Sequence, residues 1–128
     1  MIVLDENILE GQRLQLEAYG TPASQVGVDA GRKGMKDDEV FVLLPKLKNA
    51  TFFTRDFGFY RRDLCHSRYC LVVLNVAQNE AATFIRRLQR HPNFATKVKR
   101  IGSVVRVSHS GLGASSVMNA GSLAQSCL

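Results

Sequence analysis

The sequence has no run of about 18 apolar residues, so nothing in it predicts a membrane-spanning helix. Acidic residues are scarce in one half only. Residues 65–128 hold a single Asp/Glu against eight Lys/Arg, a net charge of +7, whereas residues 1–64 hold ten against nine, a net charge of −1. A basic surface of that kind favours polyanions such as RNA, DNA or acidic proteins, and is also what an ordinary solvated surface gives. Cysteine is limited to Cys65, Cys70 and Cys127. An odd count with no export signal argues against a disulfide framework. The apolar start, Met1–Leu4, runs at once into Asp5 and Glu6, unlike a signal peptide, so a cytoplasmic protein is expected. Gly27, Gly31 and Gly34 match no phosphate-loop pattern, no G-x-S-x-G is present, and no Ser/His/Asp set follows from spacing.

What is present suits one domain. A chain of 128 residues that is 45% hydrophobic can build one core and is too short for two. Met1–Leu4 reads as a short buried strand. Residues 8–19 place Ile8, Leu9, Leu14, Leu16 and Tyr19 at rough helical spacing up to Gly20. A second strand is predicted over Ala23–Val28, followed by a polar, glycine-punctuated loop. Asp37 or Asp38 is placed to cap a helix over residues 38–48, with Val40, Phe41, Leu43, Leu44 and Leu47 on its apolar face and Pro45 set to kink or end it.

Thr51–Thr54 reads as a strand, residues 57–64 as a connection with one or two helical turns, and Cys70–Val76 as a strand covered on both faces. A helix over residues 79–91 turns Ala82, Phe84, Ile85 and Leu88 to the core before Pro92 stops it. Ser103–Ser108 is the last predicted strand. Residues 110–128, rich in Gly, Ser and Ala, are expected to be a disordered tail, which leaves a domain at residues 1–109. This alternation predicts an α/β fold with a mostly parallel sheet flanked by helices.

In such sheets ligands bind beyond the carboxyl ends of the strands. Asp5-Glu6-Asn7 follows the first strand, and Thr54-Arg55-Asp56 follows the third. Like charges brought together there disfavour one another's ionisation, and a divalent cation removes that cost. All-oxygen ligands suit Mg²⁺ or Mn²⁺. A third acid comes from the helix start, as Asp37, Asp38 or Glu39, of which we take Asp38. Such a site would hydrolyse phosphodiesters, with Asp5 and Asp56 as metal ligands, Asp38 as ligand or water-orienting group, and Arg55 near the phosphate. The plain alternative is that these residues make turns and a helix cap, and that Arg55 pairs with Asp5 or Asp56.

Three segments together carry a resemblance: LDENI at residues 4–8, DDEV at 37–40 and FTRDFG at 53–58. As a set they resemble the PIN-like family of small bacterial and archaeal proteins, many of which have a start like LDEN, a D-E-E-I helix opening and a T-x-D-x-D-F strand end. The likeness covers residues 1–76, extends loosely over the next helix and strand, and leaves out the tail. It implies a single three-layer α/β/α domain, an acidic pocket dependent on Mg²⁺ or Mn²⁺, and endoribonuclease activity on single-stranded RNA. By position, Asp5 matches the first acid, Asp38 the helix acid and Asp56 the strand-end acid. Some relatives resemble the toxins of toxin–antitoxin pairs, which implies an antitoxin partner and a homodimer. One departure stands out. Where the family often has a second Asp two residues after the strand-end acid, this chain has Gly58, so a fourth metal ligand is missing or comes from Asp63. A catalytically degenerate module that binds RNA or protein is therefore the alternative.

Other groups of residues invite weaker readings. Cys65, His66 and Cys70 lack a second pair for zinc, with His91 and His109 distant in sequence. Arg61, Arg62 and Arg68 beside Phe59 and Tyr60 suit either a stacked single strand or arginine stems lying on packed rings. Arg86, Arg87 and Arg90 with Lys97, Lys99 and Arg100 form either a basic stripe for RNA or a solvated face. A receiver-like phosphoacceptor domain also has paired acids after its first strand and an Asp after its third, but no Lys closes the last strand here.

Overall fold

The strand Tyr69–Asn75 (β4) shows why this chain forms a sheet covered on both sides. Its side chains alternate between two hydrophobic clusters: Cys70, Val72 and Leu74 enter one, Tyr69, Leu71 and Val73 the other. The same parity divides Ile2 and Leu4 from Val3 in β1 (Ile2–Leu4), Phe53 from Phe52 in β3 (Ala50–Thr54), and Val105 and Val107 from Val104 in β5 (Ser103–Ser108). The computed structural model describes residues 1–116 and 124–126. In it these strands join β2 (Ser24–Gln25), β6 (Gly111–Ser116) and β7 (Ala124–Ser126) in one sheet of order β2-β1-β3-β4-β5-β6-β7. Pairing is parallel from β2 through to β5 and antiparallel for β6 and β7. The fold is thus α/β with a mostly parallel sheet.

Helical segments cover both faces. Leu16 of α1 (Glu10–Ala18) and Ala81, Ala82, Phe84, Ile85 and Leu88 of α3 (Ala81–Arg90) fill the first cluster. Val40 of α2 (Asp37–Leu43) and Leu44 of the 3₁₀ turn after it fill the second. The buried Gln12 ties α1 to α3, its Oε1 accepting from the Ala82 N–H at 2.9 Å. The chain leaves β1 for β2 on one side and returns to β3 on the other. In open parallel sheets such a reversal makes a crevice at the carboxyl ends of the two strands flanking it, here β1 and β3.

Several expectations need correction. The helix expected over residues 38–48 ends at Leu43 and tightens into a 3₁₀ turn, Leu44–Lys46, because Pro45 has no N–H to continue the ladder. Its N-cap is Lys36, so Asp37 is the first helical residue and neither Asp37 nor Asp38 is the cap. The strand predicted over Ala23–Val28 shrinks to the two residues of β2, since Gly27 takes φ 85° and turns the chain. The short helix α4 (Lys97–Arg100) has no counterpart in the sequence reading.

The largest correction concerns the tail. Domain structure does not stop at residue 109, because Gly111–Ser116 folds back on β5 through the two residues His109 and Ser110. Leu112 is 3% exposed in the first cluster. A Cβ on Gly113 would lie 2.8 Å from Tyr60 Oη, so at that position of the expected tail the packing requires glycine. The rest of the expected tail, residues 117–123 and 127–128, lies outside the described residues. No helix among the described residues is long and apolar enough to cross a membrane.

Candidate acidic site at the carboxyl ends of β1 and β3

Register and parity bring the strand-end residues together. Leu4 pairs with Phe53, and the Asp5 N–H continues the ladder by donating to Phe53 O at 2.9 Å. Asp5 therefore stands beside Thr54, and both share the parity of Val3 and Phe52, on the face that α2 covers. The fully buried Thr54 is the hinge of the site. Its hydroxyl donates to Asp5 Oδ2 at 2.6 Å and accepts from the Asp56 N–H at 3.0 Å. Asp56 in turn caps the following 3₁₀ turn, Oδ1 accepting from the Gly58 N–H at 2.9 Å.

The loop after β1 is held by Gln25, which no motif in the sequence singles out, and by Glu6. Gln25, 4% exposed in β2, donates from Nε2 to Asp5 O at 3.1 Å and to Ile8 O at 2.6 Å. Glu6 reaches the opposite way. Its Oε1 accepts from the Gly34 N–H at 2.9 Å, and its Oε2 sits 2.7 Å from where a Cβ on Gly27 would be. That bond draws the loop before α2 towards the strand ends and places the start of the helix over them.

Among the three acids at that helix start, the electrostatics select Asp37. Its carboxyl is held above the ordinary 3.8 by burial first, then by the charges of Asp56, Asp5 and Asp38. Asp5 is also raised, chiefly by burial, against the lowering bonds from Thr54 and the Glu6 N–H, with Asp56 and Glu6 adding repulsion. Glu39 is occupied elsewhere, accepting from the Lys36 N–H at 3.2 Å and pairing with Arg32. Asp38 is exposed. Asp63 pairs with Arg61, which holds its carboxyl below the usual range, and is not brought to the group. Arg55 donates from Nε to Val76 O at 2.9 Å, spanning to the end of β4, and among the described residues pairs with neither Asp5 nor Asp56.

These groups partly suit a divalent cation. The donors are carboxylates, their mutual repulsion is what a cation relieves, and Mg²⁺ commonly takes only one or two protein carboxylates plus substrate phosphate. A closed cage is a different matter: among the described residues no group of three or more His, Cys, Asp or Glu is placed to hold a metal ion. Asp5, Asp38, Asp56 and Asp63 therefore do not assemble as a four-acid set, and Asp5 with Asp56 is the pair that fits.

Several of the remaining candidates are engaged within the fold. Cys70 is fully buried in the sheet, where burial pushes its thiol up to about 12. His66 stacks on Tyr69 at 4.7 Å. Phe59 is 2% exposed, and Tyr60 lies under Arg106 at 5.6 Å. The Arg62 side chain and Cys127 lie outside the described residues. Arg86 covers Tyr19 at 4.5 Å, Arg87 covers Phe84 at 4.7 Å, and Arg100 is buried against Thr51 Oγ1 at 3.1 Å. Further along the same edge, His109 Nε2 lies 3.1 Å from Glu80 Oε1. Comparison with family models, with curated proteins and with solved structures finds no match for this chain.

Proposed function

We propose that this is a PIN-like, metal-dependent endoribonuclease, acting on single-stranded RNA at the carboxyl ends of β1 and β3. The observation that carries the reading is electrostatic. Three carboxylates from separate segments, Asp5, Asp56 and Asp37, meet near the topological switch point of the sheet, where Asp5 and Asp37 are held above their ordinary range by burial first and by the charge of Asp56 as well. Repulsion of this kind is a cost without a cation and an affinity with one.

Mg²⁺ or Mn²⁺ held there would supply Lewis-acid polarisation of a phosphoryl oxygen and activation of water. Asp5 and Asp56 are the residues that would hold it. Thr54 fixes the rotamer of Asp5 through its hydroxyl and the backbone of Asp56 through the same oxygen, so the two acids are set by one buried side chain. Asp37 would accept a hydrogen bond from the attacking water and so orient it. Arg55, held at Nε by Val76 O, presents its positive charge to the phosphate.

The test is cleavage of a generic single-stranded RNA with Mn²⁺ or Mg²⁺. Wild-type protein should cleave, and Asp5→Asn and Asp56→Asn should reduce the rate by at least about a hundredfold while remaining folded. Cleavage that survives both substitutions would sink the proposal. The non-catalytic alternative, a module that binds RNA or protein, draws on the lack of a three-ligand group among the described residues. RNA binding without cleavage, unaffected by metal, would favour it. The strand order β2-β1-β3-β4-β5 also suits a receiver-like phosphoacceptor. Yet β5 ends in Ser108 and His109, with no lysine, and labelling of Asp56 by a small phosphodonor is the result that would revive that reading. A toxin role, an antitoxin and a homodimer follow from the family resemblance alone and are proposals for co-purification to settle.

A further inference from the structure

Among the described residues, seven large hydrophobic side chains are left exposed, and Phe57 is the one aromatic among them, 53% exposed. It directly follows Asp56. The two phenylalanines of this 3₁₀ turn, Phe57–Phe59, have opposite fates. Phe59 is 2% exposed and anchors the turn, packed 5.2 Å from the Phe41 ring and 5.5 Å from the Phe52 ring. In a 3₁₀ turn side chains two residues apart diverge by about 120°. Burying Phe59 therefore turns Phe57 outward at the rim of the acidic site. The turn is also held at its start, where Asp56 Oδ1 takes the Gly58 N–H, and at its end, where the Tyr60 N–H donates to Phe57 O at 3.0 Å. The backbone that carries the ring is therefore pinned at both ends, and the ring offers an exposed apolar face.

Two exposed cations are sequence neighbours of these acids: Lys36 immediately precedes Asp37, and Arg55, its Nε on Val76 O, immediately precedes Asp56. Phosphate-binding cations beside an exposed ring are the combination by which single strands are held, backbone to charge and base to aromatic face.

We propose that Phe57 is a base-stacking platform, which takes the nucleobase next to the phosphate presented to the acidic site and thereby confines that site to unpaired nucleic acid. The inference rests on the nucleic-acid reading of the site but not on its catalysis. A duplex keeps its bases stacked on one another and cannot offer a face to the ring.

The chain contains no tryptophan, so Phe57→Trp installs a unique fluorophore at the platform. Titrating that variant with a short oligouridylate should quench the indole. The same length of abasic ribose-phosphate, and a duplex, should leave it unchanged. In parallel, Phe57→Ala should weaken oligouridylate binding by about 5- to 150-fold, the loss expected of one base–aromatic stack, while its thermal midpoint stays that of the wild type. Leu14→Ala, at another exposed apolar position, should bind as the wild type does. Equal quenching by the abasic polymer, or oligouridylate binding unaffected in Phe57→Ala, would overturn the inference and leave the nuclease reading standing. Quenching by the oligouridylate with no metal-dependent cleavage would support the platform and remove the nuclease. Failure of any single strand to bind would overturn both.

Discussion

Thr54 and Asp5 show at the scale of single residues how the site is built. A buried hydroxyl with one hydrogen and two lone pairs satisfies both neighbours, donating to Asp5 and accepting from the Asp56 backbone. Thr54→Val keeps the shape and removes both bonds. We expect it to cost about 1–3 kcal/mol of stability, measured by urea denaturation, and to weaken divalent-cation binding. Asp5 has a signed pH signature. Its carboxyl is raised above 3.8 in the folded protein, so folding takes up a proton between the unfolded and folded values. The stability it gives is full below the unfolded value and is lost as pH rises through the folded one. Asp5→Asn, which cannot ionise, should therefore melt higher than wild type at neutral pH in the absence of metal, and the gap should close as the pH is lowered towards 3.8. A gap that widens towards acid would show that the charge of Asp5 is stabilising instead. The strand ends that carry Asp5 and Asp56 were legible in the sequence, because Asp5 directly follows one apolar run and Asp56 stands two residues after the end of another. Asp37 rather than Asp38 was not legible, because which of two adjacent acids feels the charges of Asp5 and Asp56 depends on where the helix begins.

At the scale of elements, the site depends on short segments held by side chains rather than by length. β2 has only two residues, and its contribution is carried by Gln25. Gln25→Leu should fill the same space yet strand the carbonyls of Asp5 and Ile8. We expect a loss of about 1–3 kcal/mol, with a lowered metal affinity as the loop after β1 loosens. Phe59 plays the equivalent part after β3. Phe59→Ala should destabilise by about 3–5 kcal/mol in chemical denaturation, as expected for removing a buried phenylalanine. β4 was readable from its uninterrupted apolar run, and α3 from buried residues at helical spacing ended by Pro92. α2 was misjudged in length because its apolar positions continue past Leu43, and the backbone constraint of Pro45 outweighs them. α4 left no periodic signal, being four residues long.

The whole molecule corrects the expectation that residues after 109 are dispensable. Composition alone reads Gly111–Ser116 as a tail, because glycine and serine lower the apparent burial. The glycine at position 113 is instead what lets Tyr60 approach β6. Truncation after Ser110 should open the edge of β5 and uncover Val105 and Val107 beside the missing Leu112. We expect the truncated chain to aggregate or melt well below the full chain, as read by size-exclusion chromatography and a thermal scan. A soluble truncated chain with an unchanged midpoint would return the domain boundary to residue 109.

The central claim is that Asp5, Asp56 and Asp37 act as one electrostatic unit that a divalent cation completes. Calorimetric titration of Mn²⁺ into wild type, Asp56→Asn, Asp37→Asn and Asp38→Asn tests it most directly. Wild type should bind in the micromolar to millimolar range, with loss in Asp56→Asn, clear weakening in Asp37→Asn and little change in Asp38→Asn. Equal binding by all four proteins, or none by the wild type, would contradict it.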